Sequence, residues 1–222
     1  MTKRGKKIKK YFAKGLLQMK IKDEEFDRLI KEAIHPLFRR ALEKTMVYSE
    51  DCISESRIIY GLNTSNSVGI EFQFKMGKDG YFRYIPIVVT ILNFTSHEVV
   101  IYQSLFDPTV EKAFNECTRT YFYEDVVSIE TREVAKTREK LTPVKKALNK
   151  LPVVKVFVKG NEEQYNASKK FILKTRGNAS LEVQLSDYET IGEVNGTFKI
   201  TDAENTIRAI RTTLSDMKRK RI

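Results

Sequence analysis

One stretch near the end of the chain, 201–217, restricts the possible folds more than any other. Ala203, Ile207, Ile210, Leu214 and Met217 recur at spacings of four and three, which puts them on one narrow stripe of an α-helix. Glu204, Arg208, Arg211 and Asp216 fall largely off that stripe. Thr201 or Asp202 is suited to accept a hydrogen bond from a free N–H at the helix start, and Glu204 sits well near the positive end of the dipole. A helix with a single apolar stripe must lie on something. What precedes it is mostly strand-like, so a sheet or a half-open barrel is its expected support.

The strand-like region begins at Ser56. Alternating or apolar runs predict strands over 57–62, 69–76, 81–94, 99–106, 117–123 and 126–133. Gly77-Lys78-Asp79-Gly80, Ser96-His97-Glu98 and Glu124-Asp125 read as the turns between them. Residues 134–151 break the pattern with a charged, helix-prone insertion, in which Pro143 and Pro152 bracket a short helix. Strands resume at 153–158, 171–175, 181–185 and 198–200, and Arg176-Gly177-Asn178 is a hairpin signal. Upstream, 23–47 reads as an amphipathic helix with Phe26, Leu29, Ile30, Ala33, Leu37, Phe38, Ala41 and Leu42 on a wide apolar face. Pro36 removes a backbone donor and disfavours helical geometry at His35, which predicts a kink or two short helices. The expected organisation is a basic tail and helical region over 1–55, then one β-rich domain over 56–222.

The formal net charge of +11 suggests a nucleic-acid partner until it is partitioned. Residues 1–22 hold nine Lys or Arg and no acid, and without them 31 basic residues face 29 acidic ones. Lys218, Arg219, Lys220 and Arg221 carry four more positive charges, so the remaining body is close to neutral. The basicity therefore sits in two tails rather than in a broad face of the fold.

Along the first tail, lysines alternate with apolar residues. Ile8, Phe12, Leu16 and Met19 share one face of a helix, with Lys3, Arg4, Lys6, Lys7, Lys9, Lys10 and Lys14 mostly beside or opposite them. One reading is an interfacial anchor, with the apolar face in the headgroup boundary and each nearby lysine gaining roughly 1 kcal/mol against anionic lipid. The others are a solvated basic extension, a strip packed on the protein's own surface, or a nucleic-acid contact. Gly15 weakens a helix there by about 1 kcal/mol relative to Ala.

Signatures of chemistry are missing from the sequence. His35 has no second histidine or acidic cluster beside it, His97 stands alone in a turn, neither has an evident catalytic partner in sequence, and Cys52 and Cys117 lack metal or redox spacing. Glu124 and Asp125 are adjacent, so on an extended strand they point to opposite faces. No phosphate-cradling glycine loop, nucleophile elbow or HExxH motif occurs. The aromatics Tyr81, Phe82, Tyr84, Tyr121, Phe122 and Tyr123 suit core and cross-strand packing better than base stacking, given the neutral body. The expectation is a non-enzymatic protein without cofactor or metal. The longest apolar run, 85–94, is too short to span a membrane, and 1–7 lacks the apolar core of a secretory signal, so a cytoplasmic location is expected.

Several strands in series, a hairpin and one terminal amphipathic helix follow the order of a pleckstrin-homology-like (PH-like) barrel. YFYEDVVSIET (121–131) resembles the mid-domain strand of bacterial PH-like domains. KKFILKTRGNASLEVQLSD resembles their later hairpin, and DAENTIRAIRTTL their closing helix. The resemblance spans roughly 81–217 and implies an α+β fold, N-terminal amphipathic helices followed by an antiparallel barrel closed by the C-terminal helix. It also implies a binding or scaffold module, since some members of the wider fold hold phosphoinositides and others peptides. Lipid-binding members place several Lys and Arg in the first strand–loop–strand, whereas 91–98 here contains none and Arg83 lies alone upstream. The expected function is an interaction module tethered to an anionic membrane surface, such as the inner face of the membrane, by its basic N-terminus. The alternatives are a nucleic-acid-binding protein using the tails, or a structural subunit that binds a protein partner.

Overall fold

The computed structural model describes residues 1–13, 21–61, 71–79, 81–139, 162–177, 179–187, 197–198 and 203–219. The fold is mixed α+β, built around an antiparallel sheet whose two central strands are buried on both faces. Its strands are β1 (Arg57–Gly61), β4 (Ile87–Phe94), β5 (Glu98–Asp107) and β6 (Lys112–Phe122), in the order β1-β4-β5-β6. In β4, Ile87, Val89 and Ile91 face one way and Leu92 and Phe94 the other. Pairing with β5 continues both layers: Ile91 lies opposite Tyr102 on one face and Leu92 opposite Ile101 on the other. A slip of one residue would exchange the two layers, so the register is strongly set.

Three helices cover the first face: α1 (Lys3–Phe12), α2 (Asp23–Ile34) and α3 (Pro36–Thr45). Their buried residues Ile8, Tyr11, Phe26, Leu29, Ile30, Ala33, Ile34, Leu37 and Ala41 form one core with Val89, Ile91, Tyr102 and Phe106. The Thr2 hydroxyl caps α1 by accepting the Gly5 N–H at 3.0 Å. The break expected at Pro36 occurs there: α2 stops at Ile34, and Pro36 opens α3 where its missing N–H is harmless.

The second face meets another sheet, β7 (Val126–Glu139), β8 (Glu162–Thr175) and β9 (Ser180–Asp187), in the order β7-β8-β9. Phe171, Leu173, Leu181 and Val183 from this sheet join Ile59, Leu92, Phe94, Val99 and Ile101 in a second core. The C-terminal helix α4 (Ala203–Arg219) packs into it through Ile207, Ile210 and Leu214, with Met217 partly buried against it, so the stripe read from the sequence faces the core.

Three expectations need correction. The run 81–94 is not one strand: β3 (Tyr81–Ile85) and β4 lie either side of Pro86 and belong to different sheets. Proline has no donor for a ladder, so continuous pairing stops there. β3 pairs instead with β2 (Gln73–Met76) and, in parallel, with the short β10 (Thr197–Phe198). Residues 134–139, expected to open a helical insertion, extend β7 to the pair Glu139–Glu162. Ladder formation with β8 overrides the helix propensity of that charged segment; 140–161 lie outside the described residues. Finally, no closed barrel forms among the described residues, whose strands fall into three separate sheets.

α1 approaches the turn after β5 so closely that a Cβ on Gly5 would stand 1.9 Å from the Thr109 carbonyl oxygen. Ala normally stabilises a helix by about 1 kcal/mol over Gly. Here overpacking against backbone, worth about 1–3 kcal/mol, opposes that gain. Gly5→Ala is therefore expected to lower the melting temperature, while Lys6→Ala on the exposed side leaves it within a degree or two; thermal denaturation of both variants checks this.

Candidate functional site

Docking of α1 sorts the basic tail into engaged and exposed groups. Lys3, Lys6, Lys9 and Lys10 are exposed, and none makes an ion pair among the described residues. Arg4 is half-buried and pairs with Glu111 at 2.8 Å, while Lys7 reaches Glu25 at 2.9 Å. Ile8, expected on an outward apolar face, is instead fully buried, and Phe12 is partly buried against the same core. The reason is aromatic packing: the Tyr11 ring lies 4.3 Å from Phe26, and the Phe12 ring meets Phe26 edge-on at 5.5 Å. Ile8, Tyr11 and Phe12 thus face the protein's own core, and the opposite side of α1 is a row of lysines. Lys14, Leu16 and Met19 lie outside the described residues, as do Lys220 and Arg221. Lys218 and Arg219 are exposed on the last turn of α4.

A buried arginine holds this arrangement. Arg83 on β3, which looked isolated in sequence, is 3% exposed. Its Nε and Nη2 donate to both Asp27 oxygens at 2.9 Å, and its Nη1 and Nη2 donate to Asp79 at 2.9 and 2.7 Å. Asp23 stands 4.0 Å away and accepts from the Tyr11 hydroxyl at 2.7 Å and the Lys78 N–H at 2.7 Å. One guanidinium therefore links β3 to α2 and to the turn after β2, and Asp23 extends the link to α1. Burial alone would raise the Asp23 pKa, but the Tyr11 hydroxyl, the Lys78 N–H and Arg83 together hold it below the usual carboxylate range. Burial and the bond to Asp23 push the Tyr11 phenol up. Arg83 is committed to carboxylates and is not available to bind phosphate.

A smaller cluster ties α3 to β6. Arg40 grips Glu116 through two bonds of 2.6 and 2.5 Å, and the Tyr102 hydroxyl donates to the same carboxylate at 2.9 Å. The Arg40 hydrogen bond, outweighing partial burial and aided by Tyr102, keeps the Glu116 pKa low.

On the other side of the molecule a groove of about 390 Å³ runs between β7 and α4. Tyr123, Val126, Ile129 and Leu214 supply its apolar surface, and Ser128, Ser215, Arg211 and Lys218 its polar one. Arg211 donates to the Thr131 hydroxyl at 2.9 Å, and Lys218 donates to the Val126 carbonyl. Nothing in the sequence marked this groove, because its two walls are about 90 residues apart in the chain.

The remaining polar residues singled out in the sequence stay apart. His35 joins α2 to α3 with its ring against Phe38, and His97 sits in the turn between β4 and β5. Glu124 and Asp125 occupy the turn before β7, where the Asp125 carbonyl accepts the Arg176 N–H at 2.9 Å. Cys52 and Cys117 are free thiols, and burial raises the Cys52 pKa. Among the described residues no three His, Cys, Asp or Glu converge as metal ligands, and no helix is long and apolar enough to cross a membrane. A scan against protein-family models, a search of curated proteins and a search of solved structures each found no match to this chain.

Removing Arg83 would leave three aspartates without their shared cation. Arg83→Met is expected to cost about 3 kcal/mol, the lower end for a broken buried pair because Asp79 partly reaches solvent. Arg83→Lys should recover little of this, since an ammonium lacks the fork that grips two carboxylates at once. Acid should act on the same clusters. Asp23 and Glu116 have depressed pKa values in the fold, so their stabilisation is complete above the unfolded carboxylate pKa of about 4 and is lost as pH falls through the folded values. The melting temperature is expected to be flat between pH 7 and about 5 and to fall below about pH 4. Glu116→Gln should show a lower plateau and a shallower acid slope in thermal melts across that range.

Proposed function

We propose that this protein is a non-enzymatic binding module, PH-like in plan, held at an anionic membrane surface by the lysine side of α1. The PH-like reading is supported by the order of elements and by the packing of α4, whose apolar stripe lies on a core shared by the central sheet and β7-β8-β9. Without a matching family or structure, it rests on that arrangement and on the resemblance of 121–131 and the β8–β9 hairpin.

The observation that carries the tether is the row Lys3, Lys6, Lys9 and Lys10, exposed on a helix whose other side is fixed in the core. Fixing the helix in advance removes the ordering cost a flexible tail would meet on binding. At roughly 1 kcal/mol for each lysine near an anionic leaflet, four of them give a weak and reversible contact. It is an electrostatic contact without insertion, because Ile8 and Tyr11 already lie in the core. α1 and α4 cover opposite faces of the central sheet. A flat surface laid against the α1 lysines is therefore on the far side of that sheet from Lys218 and Arg219, and the two basic termini do not form one patch.

Co-sedimentation of the full chain with phosphatidylserine-containing and neutral vesicles tests this. The wild type is expected to bind only the anionic vesicles, with binding lost by about 0.5 M salt as screening shortens to a few ångströms. Lys3→Glu/Lys6→Glu/Lys9→Glu/Lys10→Glu should abolish binding and leave the melting temperature nearly unchanged. Undiminished binding by that variant would overturn the proposal. So would preferential capture by duplex DNA or RNA in direct competition with the vesicles, which would reassign the lysines to a nucleic acid.

A further inference from the structure

Among the described residues strand β7 is paired on one side only. It contributes 14 residues to its sheet, where β8 is its sole ladder partner among the described residues. A long free edge is a template for another strand, which soluble proteins normally blunt or cover. Over 126–129 this strand forms one wall of the groove whose other wall is α4, with Val127 exposed and with Val126 buried and its carbonyl accepting from Lys218.

The chemistry of the groove restricts what would lie there. Of its nine lining residues two are cationic, Arg211 and Lys218, and none is acidic. Glu130, further along β7, is engaged by Lys174 at 2.7 Å. Both cations are held in place from within the fold, Arg211 by the Thr131 hydroxyl and Lys218 by the Val126 carbonyl. Each keeps further N–H donors for a ligand, because a guanidinium carries five and an ammonium three. Arg211, Ser215 and Lys218 recur at spacings of four and three, so they follow one side of α4, and seven residues of helix separate the two charges by about 10 Å along its axis. An extended chain advances about 3.3 Å per residue with alternate side chains on one face, so acidic side chains two and four positions apart, about 7 and about 13 Å, bracket that distance. Val127 and the half-buried Ile129 offer apolar contact on the β7 side.

We propose that the groove between β7 and α4 is a docking site for an extended, acidic segment of a partner protein, which adds a strand to the β7 edge and sets its carboxylates against Arg211 and Lys218. Main-chain hydrogen bonds to an open edge supply affinity in such an arrangement, and side-chain contacts supply selection. The site is independent of the α1 lysines, which lie across the central sheet, so a failed tether leaves it standing.

The test uses the full chain in solution, without vesicles, and fluorescein-labelled eight-residue peptides read by anisotropy. One peptide alternates Glu and Val, a second alternates Lys and Val, and a third is the acidic peptide N-methylated at alternate residues to remove strand donors. The acidic peptide is expected to bind at least tenfold tighter than either of the others and to shift backbone amides within 126–131 in an isotope-labelled sample. Arg211→Glu/Lys218→Glu should weaken it by tenfold or more. Ser215→Trp, at an exposed position on α4, should do the same by filling the groove. Matching melting temperatures would show that both variants remain folded. Equal binding of the acidic and basic peptides, or unchanged binding in both variants, would overturn the proposal. Displacement of the acidic peptide by millimolar inorganic phosphate would also overturn it, by making the groove a small-anion site.

Discussion

Strands β4 and β5 bury side chains on both faces, and each face has to be covered by something else in the chain. Water on either side would meet a continuous apolar layer: Val89, Ile91 and Tyr102 on one, Leu92, Phe94 and Ile101 on the other. The helices α1 to α3 are consequently structural parts of the fold rather than a leader to it. The sheet β7-β8-β9 with α4 meets the same requirement from the opposite side. The large apolar area these layers remove from water is the main favourable term in the fold, at roughly 25 cal/mol per Å².

Hydrophobic burial alone does not select how the helices lie on the sheet. Arg83 does much of that selecting, because a guanidinium holding two carboxylates in bidentate geometry accepts few other arrangements. Asp23 passes the constraint to α1 through Tyr11, and the tight approach of Gly5 to Thr109 fixes the other end of that helix. With its inner side committed in this way, α1 can present only lysines to the outside. A cluster that reads as stabilising thereby decides which chemistry the surface carries.

The two candidate surfaces follow from the same layering. The lysine row belongs to the helix-covered face and the cationic groove to the face covered by α4. The proposed tether and the proposed groove therefore lie on opposite sides of the central sheet. Neither surface contains converging acid–base groups, and the tyrosines with raised pKa, Tyr11, Tyr84, Tyr102 and Tyr121, are core or helix-docking residues.

Local features were legible in the sequence wherever one segment decides its own geometry. The stripe of α4, the helix break at Pro36, the turns at 96–98 and 124–125 and the hairpin after β8 all depend on spacing or on backbone chemistry within a few residues. The α+β class followed from their order. The apolar stripe of α1 was legible as a stripe, but its partner was not: an amphipathic face has the same pattern whether lipid or protein covers it. The run 81–94 reads as a single strand until Pro86 sends its halves to different sheets, and 134–139 reads as helix until β8 pairs with it. Arg83 looked solitary because Asp23 and Asp27 come from a helix more than 50 residues upstream. The groove was invisible for the same reason. By itself the sequence determined the periods, the breaks and the sorting of charge into the termini, because these are short-range properties of the chain. The tertiary structure alone decided which faces meet, since burial and ion pairing join residues whose separation along the chain carries no signal of their contact.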